Sequence, residues 1–426
     1  MKLNFLKKKE VQNAGWLMGG RIVQMLISLV VGVLTARYLG PANYGLIGYA
    51  SAYTAFFMAF CTLGLNAIMV KEFVDDPDAE GTIIGTTLVM RAVSSLLSGL
   101  LIVLVVSFID ADEPTTIAVV ALSCVGLLFH IFEVFRYWFQ AHLQSKVTAI
   151  VAFIAYAATA LYKIILLILG KNVLFFAFAT SVDYIVVAVL LLFAYKKYGG
   201  KRLRFSWSRG KRMLSSSCHF IMSGLMVSIY GKSDKLMLKQ MLDETSVGYY
   251  ATATTICTMW CFVLTAIIDS VVPSIMEANN QNEELFKKRN RQLYAIVFYV
   301  SLAVSVLFMI FADLAICILY GKAYLPAANP LRIITWYTAF SYLGVARNAW
   351  LVCKQRQKYL KYIYVLAIVL NISLNIVFIP RWGASGAAFA SLVTQIGTSI
   401  VLPFLIPGLR DNAKLMLEAI CLKGVK

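Results

Sequence analysis

Twelve apolar stretches, most of 20 or more residues, fill this chain almost from end to end. They fall at roughly 13–37, 44–70, 82–109, 116–137, 147–169, 173–195, 214–237, 246–275, 292–319, 331–351, 359–379 and 384–407. A bilayer's hydrocarbon core is roughly 30 Å thick, and a helix needs about 20 apolar residues to cross it. The stretches are continuous, without the short alternating segments of a barrel, so helices are expected. The longest polar interruption, Lys196–Arg212, leaves no room for a soluble catalytic domain. Charged residues make up 14% of the chain, against about 25% in soluble proteins, and mean hydropathy is +0.76. The expected fold class is an all-α polytopic membrane protein of about 12 transmembrane helices.

A formal net charge of +18 would suggest nucleic acid in a soluble chain. Here the placement of the charge argues otherwise. With a cytoplasmic N-terminus and alternating spans, the outer segments hold only Lys171, Lys232, Lys235, Lys239, Lys322 and Arg381. Arg21, Arg37, Arg91, Lys163, Arg332 and Arg347 lie within or at the edges of spans, and the other 27 of the 39 basic residues fall on the inner side. The positive-inside rule thus predicts cytoplasmic N- and C-termini and an even span count, with no nucleic-acid partner. Met1–Glu10 is similar to the basic region of a signal peptide, but the first span is too long for one and lacks a small-residue cleavage site, so it is expected to be retained. The eight cysteines form no CxxC pair and read as packing residues, implying neither disulfide nor metal.

Lys196–Arg212 divides the spans six and six, giving expected bundles over 1–200 and 201–426. A weak internal echo suggests duplication: Tyr49-Ala50-Ser51-Ala52 in span two aligns with Tyr250-Ala251-Thr252-Ala253 in span eight, with the preceding Gly48 and Gly248 one residue out of register. Parallel repeats of this kind are a transporter architecture, with substrate bound between them. Chance similarity among small and aromatic membrane residues is the alternative.

Ionisable groups inside spans are expensive unless they face a cavity or a partner, which makes each a functional candidate. In span one, Arg21, Gln24, Ser28, Gly32 and Thr35 share a helical face and suggest one wall of an aqueous cavity; helix packing with a snorkelling Arg21 is the alternative. Arg91 lies some 15 Å into span three, suited either to bidentate contact with phosphate or to a structural ion pair. Lys163 and Asp183 sit about 6 Å apart in depth on spans five and six, either as a switching cavity pair or as a static bridge. Asp269 shares a face with Thr255, Thr258 and Thr265. Asp234 lies near the outer end of span seven, where Lys232 and Lys235 could simply neutralise it. Arg347 is either a further cavity cation or an interfacial anchor. Asn371 and Asn375, one turn apart, could bond sugar hydroxyls or another helix. The turn carrying Arg37, Gly40, Pro41 and Gly45 reads as a tight architectural connection or part of a gate.

The run from Asn13-Ala14-Gly15-Trp16 through Arg37-Tyr38-Leu39-Gly40-Pro41-Ala42-Asn43-Tyr44-Gly45 resembles the opening of Wzx-type polysaccharide repeat-unit flippases. These belong to the multidrug/oligosaccharidyl-lipid/polysaccharide (MOP) exporter superfamily. Gly64-Leu65-Asn66, Lys71-Glu72, Asp234 before Met237-Leu238, Val247-Gly248-Tyr249-Tyr250, Asn371, Asn375 and Gly383-Ala384-Ser385-Gly386-Ala387-Ala388 continue the resemblance over essentially the whole chain. Individually the motifs are weak; their order and spacing are specific. The resemblance implies a V-shaped pair of six-helix bundles in a bacterial cytoplasmic membrane, with spans one, two, seven and eight lining a central cleft. It also implies movement of undecaprenyl-pyrophosphate-linked oligosaccharide to the outer leaflet during O-antigen or capsule synthesis.

On that reading Arg21, Arg91, Lys163 and Arg347 supply a cationic cavity. Gln24, Ser28, Thr255, Thr258, Thr265, Asn371 and Asn375 form its polar wall, and Asp183, Asp234 and Asp269 are coupling or gating groups. The expected partners are the polyprenyl pyrophosphate sugar, membrane lipids, H+ or Na+ as coupling ion, and a polysaccharide polymerase; no cofactor or metal is implied. No GxxxxGK[ST] loop exists, so a P-loop does not power the movement. The alternative within the superfamily is an ion-coupled multidrug exporter, which should favour acidic and aromatic groups for cationic drugs. An enzyme is disfavoured: His130, His142 and His219 have no ligand spacing, and no outer loop exceeds about 15 residues.

Overall fold

The computed structural model describes the backbone of residues 3–424 and the side chains of 24, 25 and 27–424. Its elements in chain order are α1 (Leu3–Thr62), α2 (Asn66–Asp75), α3 (Glu80–Ile109), α4 (Pro114–His130), α5 (Val134–Ala141), α6 (Ser145–Ile168), α7 (Val173–Ala177), α8 (Ala179–Lys197), α9 (Trp207–Met241), α10 (Glu244–Met259), α11 (Cys261–Gln281), α12 (Glu283–Leu319), α13 (Ala328–Cys353), α14 (Leu360–Ile396), α15 (Leu402–Leu405) and α16 (Arg410–Ile420). No strand occurs among the described residues.

Nine helical segments among the described residues are long and apolar enough to cross a membrane. Two of them carry a reversal. In α1, Gly40 adopts φ 72° and ψ 170°, a left-sided conformation that glycine tolerates, and Pro41 follows it. The limb before Gly40 runs alongside α6, with Ser28 bonded to Tyr156 and Tyr38 against Phe176 just beyond it. The limb after it runs back down α3, through Tyr49–Asp110 and then Ser94–Phe60. In α14, Gly383 (φ 59°) bends the helix three residues after Pro380. The limbs then touch so closely that a Cβ on Gly386 would lie 2.1 Å from the Phe378 carbonyl oxygen. The small-residue run at 383–388 exists to allow that contact. α13, with 26 residues, is long enough to cross but is diluted by Asn329, Arg332, Thr335, Thr338 and Arg347. Counting both limbs of α1 and α14, and α13, the described residues make twelve helical segments of a length suited to crossing.

Contacts group residues 1–39 and 46–228 into one compact unit, and 40–45 and 229–426 into the other. The expected boundary at 200/201 therefore lies too early: α9 starts with the first unit and ends with the second. The reason lies in Gly64, where a Cβ would meet the backbone of Ser217 and Ile221 at 2.9 Å, and in Gly224, packed on Ala59. These contacts hold the first half of α9 to the first unit.

Each unit has its own apolar core. In the first, Leu65, Met69, Ile83, Phe135 and Phe139 are fully enclosed; in the second, Ile275, Phe286, Leu293, Leu343 and Met416 are. Side chains at 93, 97, 100, 104 and 108 of α3 stay exposed and apolar, as do those at 307, 310, 314 and 318 of α12. Such rows suit contact with lipid tails.

Candidate functional site

Polar groups buried in the second unit converge on one carboxylate. Asp234, on α9, is 5% exposed. Its Oδ1 accepts from Asn375 Nδ2 at 2.7 Å; its Oδ2 accepts from Ser391 Oγ at 2.7 Å and from the Tyr250 hydroxyl at 2.5 Å. Three helices meet here, because Tyr250 comes from α10 while Asn375 and Ser391 come from the two limbs of α14. Asn371, one turn from Asn375, accepts from Asn375 at 3.1 Å and from Ser233 at 3.0 Å. The Asn375 Oδ1 is buried without a partner among the described residues. A carboxylate out of water is tolerable only when its oxygens are bonded, and here three donors do so. The site gathers carboxylate, amide and hydroxyl oxygens within one dry cluster, a donor set suited to a proton or a small hard cation.

One helical turn away the polar strip continues. The Tyr230 hydroxyl donates to Gln395 Oε1 at 2.5 Å, and Gln395 donates to Ser399 Oγ at 3.0 Å. Residues 397–401 widen into a π-turn, and the Thr398 carbonyl there accepts from Arg347 at 3.3 Å. Single π-turns recur at functional sites because they release a carbonyl from the helix ladder.

This geometry changes several sequence-based expectations. Asp234 is bonded to uncharged donors from two other helices, and Lys235 beside it acts on it through space. Asn371 and Asn375 bond other helices rather than standing free for sugar hydroxyls, and both are fully buried. Arg347 is 4% exposed, so it is neither an interfacial anchor nor, in this conformation, a wet cavity cation. Arg91 is 0% exposed; it donates to Asn66 Oδ1 at 2.6 Å and lies 5.9 Å from the Tyr137 ring centroid. A guanidinium sealed among helices cannot meet a phosphate without rearrangement, so the expected wet contact at Arg91 is not formed here.

Lys163 and Asp183 are both half-buried and close enough to influence each other. No ion pair within 4.0 Å joins them among the described residues, and Thr159 donates to Asp183 at 3.4 Å. The Arg21 side chain lies outside the described residues, Gln24 is half-buried and Ser28 is exposed. Thr255, Thr258 and Thr265 each donate to the carbonyl four residues back, with Tyr44 and Tyr342 as further partners of Thr255 and Thr265. Asp269 is exposed.

The Gly40–Gly45 turn packs on the start of α10. A Cβ on Gly45 would lie 1.8 Å from the Glu244 oxygen, and one on Gly248 would lie 2.1 Å from the Pro41 oxygen. Asn43 and Arg37 beside the turn are also engaged by partners.

Sequence reasoning missed Tyr250 and Ser391 as site residues. Ser391 was reachable in principle, since it lies on the limb that follows the small-residue run; its meeting with Asp234 was not.

The comparisons with known proteins agree with this architecture. Residues 11–279 match the family model described as "Polysaccharide biosynthesis protein". The chain is 18% identical, over 90% of its length and 96% of the other's, to the capsular polysaccharide biosynthesis protein CapF of Staphylococcus aureus. Among solved structures it is similar to the lipid II flippase MurJ in an inward closed conformation, with TM-score 0.70, 15% identity and coverage of 95% and 91% of the two chains. A multidrug resistance MATE family transporter of the MOP superfamily, inward-facing, gives TM-score 0.69 and 16% identity, with 93% and 96% covered. The fold is shared with these two solved structures, and with more than half of its length matched, the chain belongs to the polysaccharide biosynthesis protein family.

Proposed function

We propose that the protein is a flippase that carries polyprenyl-pyrophosphate-linked oligosaccharide repeat units across the bacterial cytoplasmic membrane by alternating access, for surface polysaccharide synthesis. The family match carries this reading, and a relative assigned to capsular polysaccharide biosynthesis supports it. A lipid II flippase sharing the fold is compatible with a lipid-linked cargo. The formal charge of +18 suits an anionic headgroup better than a cationic drug. H+ or Na+ is the proposed coupling ion and Asp234 its site. Support comes from a buried carboxylate bonded by three donors beside an unpartnered amide oxygen. A polymerase that consumes the exported unit would keep transport running in one direction.

The resemblance to a multidrug transporter at nearly the same TM-score favours drug export as the second reading. Reconstitution separates them. Proteoliposomes holding the purified protein should expose a lipid-linked oligosaccharide at the far face under an imposed Na+ or proton gradient. Accumulation of cationic dyes with no lipid-linked sugar movement would overturn the flippase reading.

A further inference from the structure

The segment between α8 and α9 is pinned along the start of α3. Residues 201–206 form neither helix nor strand. The Arg204 amide donates to the Gly81 carbonyl at 3.1 Å, and the Ser206 amide donates to Thr86 Oγ1 at 3.0 Å. Gly81 and Gly85 make room: a Cβ on either would lie 2.1 or 2.3 Å from the carbonyl oxygen of Arg202 or Arg204. Side chains secure both ends. The Tyr195 hydroxyl donates to the Lys201 carbonyl at 2.8 Å, and Lys201 Nζ donates to the Pro77 carbonyl at 2.8 Å. Arg209 bridges Glu72 at 3.0 Å and Asp76 at 2.6 Å.

A strap fixed so firmly nevertheless displays large apolar side chains. Leu203, Phe205 and Trp207 are 46%, 52% and 69% exposed. The backbone of Arg202 and Arg204 turns toward α3, and Leu203, Phe205 and Trp207, the last of which opens α9, are the exposed apolar side chains between and beyond them. Around them Lys196, Lys197, Arg202, Arg204 and Lys211 are exposed. The strap covers the face of α3 that carries Gly81 and Gly85. Further along the same face, at four-residue steps, come Val89 and Val93, exposed at 46% and 55%, and then Leu96 and Leu97. The strap thus ends about one turn, some 5 Å, before the apolar row begins.

We propose that this strap is an interfacial docking surface for anionic phospholipid headgroups, in the leaflet at the basic end of the first unit. Leu203, Phe205 and Trp207 enter the headgroup–acyl boundary while the neighbouring lysines and arginines engage the phosphates. Aromatic rings concentrate at that depth, and basic residues beside them are attracted by anionic lipid. The proposal stands apart from the transported cargo and from the Asp234 cluster.

The test uses the full chain in nanodiscs of phosphatidylcholine alone or with phosphatidylglycerol. Subtracting the Trp207→Phe signal isolates the emission of Trp207 and leaves an aromatic ring in place. The expected result is a blue-shifted Trp207 component, quenched more by lipid brominated near the headgroup than by lipid brominated deep in the chains. That quenching should be stronger when phosphatidylglycerol is present, and Arg202→Gln with Arg204→Gln should remove the difference between the two lipids. A Trp207 component quenched by acrylamide and not by brominated lipid in either nanodisc overturns the docking surface. Equal lipid quenching in both overturns the anionic assignment.

Discussion

Asp234→Asn is the most informative single change. It keeps the size of the side chain and one acceptor oxygen, and it removes the charge. Asn375 can still donate to that oxygen, while the Tyr250 and Ser391 hydroxyls can rotate to accept from the new amide. The fold should therefore survive, with a stability change within ~2 kcal/mol, since a buried hydrogen bond contributes about 1 kcal/mol net and charge-assisted ones somewhat more. The effect on energy coupling should be much larger. One elementary charge moved through 100 mV is worth about 2.3 kcal/mol, which at about 1.36 kcal/mol per decade is roughly a 50-fold bias in distribution. Proteoliposomes with matched amounts of wild type and variant would be given an imposed gradient, and labelled lipid-linked oligosaccharide counted at each face. Wild type should concentrate cargo on the far face, and Asp234→Asn should only equilibrate it. A variant that folds and retains the wild-type ratio would refute the coupling role and leave Asp234 as a structural anchor.

Four other outcomes are expected. Gly248→Ala drives a methyl into the Pro41 carbonyl, so thermal unfolding in detergent should show a loss of ~1–3 kcal/mol; Gly231→Ala, which meets nothing within 4 Å, should show none. Arg91→Ala strips the donor from half-buried Asn66 and opens a cavity at a fully buried position, so it should cost ~2–5 kcal/mol in the same assay, whereas exposed Lys146→Ala should stay within about 0.5 kcal/mol. The Arg209 guanidinium, its main partner, holds the Asp76 carboxyl below its usual range. A depressed carboxyl stabilises above its unfolded pKa and loses that contribution as pH falls through the folded value. Pulsed hydrogen exchange should therefore find the Arg204 amide protected at pH 5 and, corrected for intrinsic rate, less protected as the pH falls below the usual carboxylate range. Tags at either terminus should be accessible only from the cytoplasm, and an external C-terminal tag would break the even span count.

Most of the architecture is written in hydropathy, because burial of backbone polar groups in lipid leaves the helix as the only way to place such long apolar runs. The twelve stretches all reappear as helical segments. Hydropathy does not record backbone conformation or close packing. The Gly40 and Gly383 reversals fall in the gaps expected between spans one and two and between spans eleven and twelve, though their glycine conformation was not legible; the α9 boundary is set by close packing at Gly64 and Gly224. The chain was therefore divided at its most polar loop, while its contacts divide it at the middle of a helix.

The site was legible only in part, for a geometric reason. Helical periodicity tells which residues share a face, as it did for Asn371 with Asn375, but not which face another helix will offer. Asp234 looked compensated because its sequence neighbours are lysines, yet side chains at successive positions on a helix point about 100° apart. Tyr250 comes from 16 residues further on, but Asn375 and Ser391 come from 141 and 157 residues on and from the two sides of the Gly383 bend. Asn375 holds Oδ1 from the first limb of α14, and Ser391 holds Oδ2 from the second. On the proposed coupling role, a proton or cation that neutralises the carboxylate weakens its charge-assisted bonds to both donors, so its arrival is felt on the two limbs together. This is how one charge on α9 can bear on a bend that it does not itself contain. It also explains why a single acid, among the several scattered through the spans, is the one to neutralise first.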